Sequence, residues 1–151
     1  MTPSSNLTLR AATEADTEVI RDLLERNGLP TSDLSTARPE FVIASTAGQI
    51  VGIGALEYFG SAALLRSVAV ETRWRGTGVG RLIVTELERR ARAAGITELI
   101  LLTLTARGFF QGMGYVAKDR SQVPAPVHGS SEFRSLCPVS AVSMTKSLAP
   151  N

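Results

Sequence analysis

Cysteine and histidine each occur only once in this sequence of 151 residues, as Cys137 and His128. A single cysteine cannot form an internal disulfide bond, which is consistent with a protein of the reducing cytoplasm. One histidine and one cysteine do not make a metal-ligand cluster of familiar spacing. We therefore expect a cytoplasmic protein without a bound metal.

Long apolar runs and blocks of positive charge are also absent. No run reaches the roughly 18 apolar residues of a membrane-spanning helix, and residues 1–6 lack the basic and apolar regions of a secretory signal. The formal net charge is only +2, and the arginines are scattered, whereas nucleic-acid-binding proteins usually carry a basic block. We expect neither a membrane span nor a nucleic-acid partner.

The composition is that of an ordinary globular protein, with 44% hydrophobic and 20% charged residues. Its length suits one domain with one hydrophobic core. Because neither internal repeats nor a linker interrupt the chain, we predict a single domain over residues 1–151. The sequence leaves the oligomeric state open, a homodimer included.

The order of predicted elements indicates a mixed-sheet α/β domain. Thr13, with Asp16 three residues later, has the pattern of a capping box at the start of a helix. Apolar residues recur at helical spacing in two segments and predict the buried sides of two helices, Val19, Ile20, Leu23 and Leu24 in the first and Val79, Leu82, Ile83, Leu87, Ala91 and Ala94 in the second. We predict helices from Thr13 to Asn27, at 79–94 and around 106–112, and strands at 7–11, 41–44, 49–58, 63–70, 98–104, from 115, and at 141–146. Residues 29–39 are predicted to be a loop or a broken short helix, and residues 121–138 to be irregular. The strand, helix and strand over 63–104 should form a right-handed crossover with two parallel strands.

A turn rich in arginine and glycine lies between the strand 63–70 and the helix 79–94. Glycines at a helix N-terminus let the backbone approach an anion, which the free N–H groups of the first turn then bind. A Walker A loop would need a Lys-Ser or Lys-Thr pair where Arg81-Leu82 stands, and the Rossmann spacing G-x-G-x-x-G is not matched at 76–80. The turn therefore predicts a phosphate site of another kind.

Three segments together carry a resemblance to a known family. The strand before the turn reads L-R-S-V-A-V at 65–70, the turn itself reads R-G-T-G-V-G at 75–80, and the segment F-F-Q-G-M-G-Y follows at 109–115. In this order they resemble the GNAT superfamily of N-acetyltransferases, over essentially the whole chain. The resemblance implies an α/β (α+β) GNAT fold, in which a mixed, mostly antiparallel sheet has helices on both faces and a central parallel pair splayed around the coenzyme. It also implies acetyl-CoA as co-substrate.

The resemblance further implies where the coenzyme binds. The backbone amides of the turn would hold the pyrophosphate, and the pantetheine arm would lie along the end of the strand 63–70. Arg73, Arg75 or Arg81 would offset the negative charge of the nucleotide, unless they are ordinary solvated arginines at a helix end. The cofactor-binding residues implied in this way are Val68, Ala69, Val70, Arg75, Gly76, Thr77, Gly78, Val79, Gly80 and Arg81.

The general acid that many members of the superfamily use is missing from this chain. Their motif resembles F-Y-x-x-x-G-F, and Phe110 stands at the tyrosine position. Three explanations stay open. The thiolate leaves without a protein acid, a residue from elsewhere serves, or the protein is not a catalyst.

Two charged residues on neighbouring predicted strands are candidates for the acceptor side. Glu57 is in phase with apolar residues of its strand, so we predict a partly desolvated carboxylate that acts as general base, unless the strand frays there and the group is solvated. Arg66 is also in phase with apolar neighbours. It either clamps a substrate carboxylate or forms a salt bridge with Glu57 or Glu71.

The second half of the chain narrows the resemblance. The segments L-T-L-T at 102–105 and F-F at 109–110 are similar to N-acetylglutamate synthase-like amino-acid N-acetyltransferases, and S-E-F-R-S-L-C-P at 131–138 is similar to acetyltransferases encoded in arsenic-resistance operons. This implies a small amino-acid-like substrate, an arsenical one included. We predict Arg66, Thr103 and Cys137 as the residues that bind it, with the Cys137 thiol in contact with an arsenical or acting as proton donor. Alternatively, Cys137 is a small buried hydrophobe.

We therefore expect an N-acyltransferase that acetylates a small amino-acid-like amine by direct transfer in a ternary complex. Two alternatives remain, a catalytically idle CoA-binding sensor module and an acetyltransferase for protein N-termini or lysines.

Overall fold

The computed structural model describes residues 7–136 and 140–148. Its helices and strands follow the predicted order closely. In chain order they are β1 (Leu7–Ala11), α1 (Thr17–Arg26), α2 (Leu34–Ala37), β2 (Glu40–Thr46), β3 (Gln49–Phe59), β4 (Ala62–Val70), α3 (Val79–Ala93), β5 (Glu98–Thr103), α4 (Arg107–Gln111), β6 (Val116–Ala117) and β7 (Val142–Ser147). Between β6 and β7 lie two 3₁₀ turns and the π-helical segment Glu132–Leu136, in the region expected to be irregular.

The strands form one mixed sheet in the order β1-β2-β3-β4-β5-β7-β6. β4 and β5 are parallel, and every other neighbouring pair is antiparallel. This confirms the predicted α/β fold with a central parallel pair, which α3 connects. Within the described residues no helix is long and apolar enough to cross a membrane.

The two long helices, α1 and α3, cover opposite faces of the sheet, because each has one apolar stripe. α3 packs on one face through Val79, Ile83 and Leu87. Ala94 was predicted to be buried but is exposed, because the helix ends at Ala93. On the opposite face, α1 buries Ile20, Leu23 and Leu24 against β2, β3 and β4. Val19 was expected in that stripe but is 45% exposed, since it lies about a quarter-turn from the centre of the stripe.

The tight turns match their sequence signals. Ala47 and Gly48 both have positive φ, 51° and 78°, as a two-residue hairpin between β2 and β3 requires. In the 3₁₀ turn Glu14–Asp16, which leads directly into α1, the Thr13 N–H donates to the Asp16 carboxylate over 2.8 Å, which confirms the predicted capping box.

Candidate functional site

The two parallel strands separate soon after they begin. β4 and β5 pair only through Ala62 with Glu98, Ala63 with Leu99 and Leu64 with Ile100. Beyond these pairs both strands continue but no longer pair with each other, and their diverging parts line a cavity of about 670 Å³. This is the splayed gap that the resemblance implied. Val68 lines it, together with the segment after α1, the strand end 101–106 and the aromatic residues of α4.

The glycine-rich turn leads into α3 with an open N-terminus. Gly76 and Gly78 have φ values of 77° and 95°, and Gly78 is the residue immediately before the helix. Within the described residues, the N–H groups of Val79, Gly80 and Arg81 have no backbone acceptor. Since unpaired amides at a helix N-terminus bind anions, the turn can hold a phosphate group.

The arginines of the turn differ in where they lie. Arg75 lines the mouth of the cavity, where its guanidinium donates to the side chain of Asn27 and to the carbonyl of Val70. Arg81 is exposed on the side of α4, and Arg73 is exposed before the turn. The Thr77 hydroxyl donates to the Trp74 carbonyl and so closes the turn itself. Arg75 is thus best placed to meet a phosphate at the cavity mouth.

The aromatic side chains near α4 offer no hydroxyl to the cavity. Phe110 lines it and is only 7% exposed. Tyr115 packs edge-to-face on Phe110, with ring centroids 5.5 Å apart, but its hydroxyl donates to Glu88 over 2.8 Å. Burial and the neighbouring Glu88 carboxylate raise the pKa of Tyr115. Tyr115 therefore does not replace the general acid that is missing at position 110.

Arg66 is the centre of a buried cluster of charges. Its guanidinium is fully buried and donates to both oxygens of Asp33, over 2.6 and 2.7 Å. Its Nη1 also reaches Glu57 over 3.0 Å, and its Nε lies 3.3 Å from Glu132. The salt bridge to Glu57 was one of the two alternatives for Arg66. Glu71, the other carboxylate considered, pairs with Arg26 instead.

Glu57 lies within β3 and is 9% exposed, which confirms the predicted desolvation and excludes a frayed strand end. Asp33 and Glu132 were not predicted as site residues. They lie in the two segments whose sequence indicates no regular structure, one just before α2 and the other between β6 and β7. A carboxylate in such a segment gives no local sign that it folds onto a buried arginine.

The two remaining candidate substrate residues have different outcomes. Thr103 lines the cavity at the end of β5, and its Oγ1 accepts a hydrogen bond from the Ala106 N–H over 3.0 Å. Its predicted contact with substrate stays a prediction. Cys137 lies outside the described residues.

Comparisons with known proteins agree with this geometry. Residues 37–117 match the family model of the acetyltransferase (GNAT) domain. An uncharacterized N-acetyltransferase of Chlorobaculum tepidum, CT2212, is 34% identical over 89 residues, which are 58% of this chain and 57% of that protein. The chain thus matches little more than half the length of this curated relative.

Solved structures share the whole fold. Rv2747 from Mycobacterium tuberculosis, solved in complex with CoA and NLQ, is 26% identical, with a TM-score of 0.80 over 94% of this chain and 99% of that one. N-acetylglutamate synthase from Neisseria gonorrhoeae, complexed with coenzyme A and N-acetyl-glutamate, is 20% identical, with a TM-score of 0.83 over 97% of this chain and 36% of that one. The second likeness concerns the fold alone. Because the family model covers more than half of the chain, including β4, the turn before α3 and β5, the chain belongs to the acetyltransferase (GNAT) domain family.

Proposed function

We propose that this chain is an acetyl-CoA-dependent N-acetyltransferase that transfers the acetyl group directly to a small amino-acid-like amine in a ternary complex. The observation that carries the proposal is the cavity between β4 and β5, which opens beside the glycine-rich start of α3. Family membership supports the activity, and the CoA bound to Rv2747 supports the coenzyme.

The residues at the start of α3 suit a coenzyme that carries a pyrophosphate. Their unpaired amides lie at the positive end of the helix dipole, which favours negative charge. Arg75 lies beside them and could exchange its contact with Asn27 for a charge-assisted hydrogen bond to a phosphate oxygen. The cavity wall at Val68 would take the pantetheine arm. When bound, acetyl-CoA supplies the activated acetyl group.

We propose Glu57 as the group that accepts the proton of the amine. Arg66 holds its Oε1, and its Oε2 accepts no hydrogen bond from the part of the chain that the structure describes. A carboxylate fixed through one oxygen and open at the other can accept a proton without breaking its ion pair. The same fixation holds the carboxylate at one position relative to the incoming amine.

Arg66 can bind a substrate carboxylate only by releasing one of its own carboxylate partners. We propose accordingly that its main role is to order the acceptor side, because it ties the segment before α2 and the segment before β7 to the sheet. An amino-acid-like acceptor would then be selected by the shape of these segments. The arsenical acceptor that the sequence resemblance implies is one member of this class.

A second function, that of a CoA-binding sensor without catalysis, is favoured by one observation. Phe110 occupies the position of the usual general acid, and the hydroxyl of Tyr115 is turned to Glu88. Such a module would bind the coenzyme and leave the thioester intact.

One experiment separates these functions. Release of free thiol from acetyl-CoA is measured with a panel of α-amino acids, their decarboxylated amines, an arsenic-containing amino-acid analogue and a peptide with a free N-terminus. Turnover with small amino-acid-like amines is the expected result. Turnover with the peptide alone would instead indicate a protein acetyltransferase. Binding of acetyl-CoA without any turnover would indicate the sensor, and no binding would overturn the coenzyme site.

A further inference from the structure

A β-bulge interrupts β4 where it borders the cavity. Ile53 of β3 faces Ala69 and Ala55 faces Arg66, so that two residues of β4 stand opposite the single residue Gly54. One of the two, Ser67, has a φ of 60°, a left-handed conformation that residues other than glycine rarely adopt. The extra residue therefore redirects the side chains of β4 at this point.

The bulge brings two consecutive side chains into contact. In a regular strand Arg66 and Ser67 would point to opposite faces, but here the Arg66 Nε donates to the Ser67 Oγ over 3.2 Å. Because the hydroxyl oxygen accepts this bond, its own hydrogen points elsewhere. Ser67 lines the cavity and is 6% exposed, and its hydroxyl donates to no group of the described residues.

Ser67 is distinguished from the other hydroxyl groups at the cavity. Ser67 lies three residues beyond the last paired residue of β4, and Thr103 lies three beyond the last paired residue of β5. Both line the cavity where the two strands no longer pair with each other, whereas Thr105 is exposed at the rim. The Thr103 oxygen accepts from a neutral backbone amide, but the Ser67 oxygen accepts from a buried guanidinium. A hydroxyl that accepts a charge-assisted hydrogen bond becomes a stronger donor.

We infer that the Ser67 hydroxyl is the hydrogen-bond donor to the coenzyme sulfur when the acetyl group leaves. This inference rests on the proposed coenzyme site and transfer reaction. As the amine nitrogen bonds to the acetyl carbon, the C–S bond breaks and its electron pair stays on sulfur. The amine gives up one proton through Glu57 to solvent, and sulfur takes up one proton from solvent. Ser67 keeps its proton throughout and lowers the energy of the negatively charged sulfur.

The test measures the pKa of the CoA thiol in its complex with the protein, from the ultraviolet absorbance of the thiolate at saturating CoA. A donor that favours the thiolate lowers this pKa, so Ser67→Ala should raise it by about 1. Thr103→Val should not change the pKa of the bound thiol. In turnover, Ser67→Ala should lower kcat by about 10- to 100-fold, with a much smaller effect on the KM for acetyl-CoA.

A second variant guards against a folding defect. Ser67→Gly also removes the hydroxyl but favours the positive φ, so it should fold at least as well and raise the pKa of the bound thiol equally. An unchanged pKa of the bound thiol in both Ser67 variants would overturn the inference, as would a rise in Thr103→Val alone. Failure of the unmodified protein to bind CoA would instead overturn the proposed function itself.

Discussion

The smallest scale at which the site can be understood is the guanidinium of Arg66. Three carboxylates from three separate segments surround it, and it has no exposed surface. Burial alone would lower the pKa of Arg66, but hydrogen bonds to Asp33 and the charge of Glu132 raise it. An isolated buried charge would be costly, and complete pairing makes this one tolerable.

The first prediction follows from that pairing. Arg66→Lys keeps the positive charge but loses the planar fork that bonds both oxygens of Asp33. We expect a lower Tm and an equal loss of kcat/KM for an α-amino acid and for its decarboxylated amine, because the protein's own carboxylates already pair with the guanidinium. The comparison of the two acceptors is the measurement. A loss confined to the amino acid would show that Arg66 clamps a substrate carboxylate after all.

The second prediction concerns Glu57. Glu57→Gln keeps an oxygen that can accept from Arg66 but removes the basic carboxylate. Loss of a general base typically costs about 10²- to 10⁴-fold, so kcat at neutral pH should fall by that order while the KM for acetyl-CoA changes little. Steady-state kinetics across the pH range provide the check. Near-normal turnover would remove Glu57 from the mechanism.

At the scale of elements, the start of α1 depends on one ionised carboxylate. Arg10 donates to both oxygens of Asp16 over 2.9 Å, and the Thr13 N–H adds a third hydrogen bond. The Arg10 hydrogen bonds, followed by that from Thr13, hold the pKa of Asp16 well below its usual range. Because the folded state favours the ionised form, this stabilisation is present above the unfolded pKa of about 4 and is lost as the pH falls towards the folded pKa.

The third prediction follows from this pH dependence. Asp16→Asn should lower the Tm by a nearly constant amount between about pH 5 and 8, and its deficit should shrink as the pH falls below about 4. Asp22→Asn is the matched control, because Asp22 forms an exposed pair with Arg26 in the same helix, and such pairs contribute little. Thermal melts of the three proteins over pH provide the measurement. A deficit independent of pH down to strong acid would contradict the argument.

At the scale of the whole molecule, the coenzyme should stabilise the fold. A ligand that binds only the folded state adds about 2.7 kcal/mol at a concentration of 100 times its Kd, so acetyl-CoA should raise the Tm. Gly78→Asp should abolish this rise, because it places a side chain and a negative charge beside the open amides of α3.

The control for this fourth prediction lies at the other end of the same helix. Gly95 also has a positive φ, 83°, and open space around the position of a Cβ atom. Gly95→Asp therefore introduces the same charge and a similar backbone strain away from the turn, and it should keep the rise in Tm. An undiminished rise in Gly78→Asp would exclude this turn as the coenzyme site.

Local patterns sufficed to predict most of the fold. Apolar periodicity and glycine positions predicted α3, its flanking strands and the hairpin before them, because these signals act between residues close in sequence. The same patterns predicted that Glu57 would be desolvated. They did not predict the exposure of Val19 and Ala94, which depends on where a helix ends and on how it rotates against the sheet.

By itself the sequence determined the order of elements, the glycine-rich turn before α3 and the presence of phenylalanine instead of tyrosine at position 110, since each depends on adjacent residues. Only the tertiary structure decided what surrounds Arg66 and where the Ser67 hydroxyl lies. Asp33 and Glu132 reach Arg66 from segments without periodicity. The bulge, with the left-handed backbone of Ser67, arises from the register between β3 and β4. These features come from long-range contacts, in which a buried charge must find partners wherever the fold brings them.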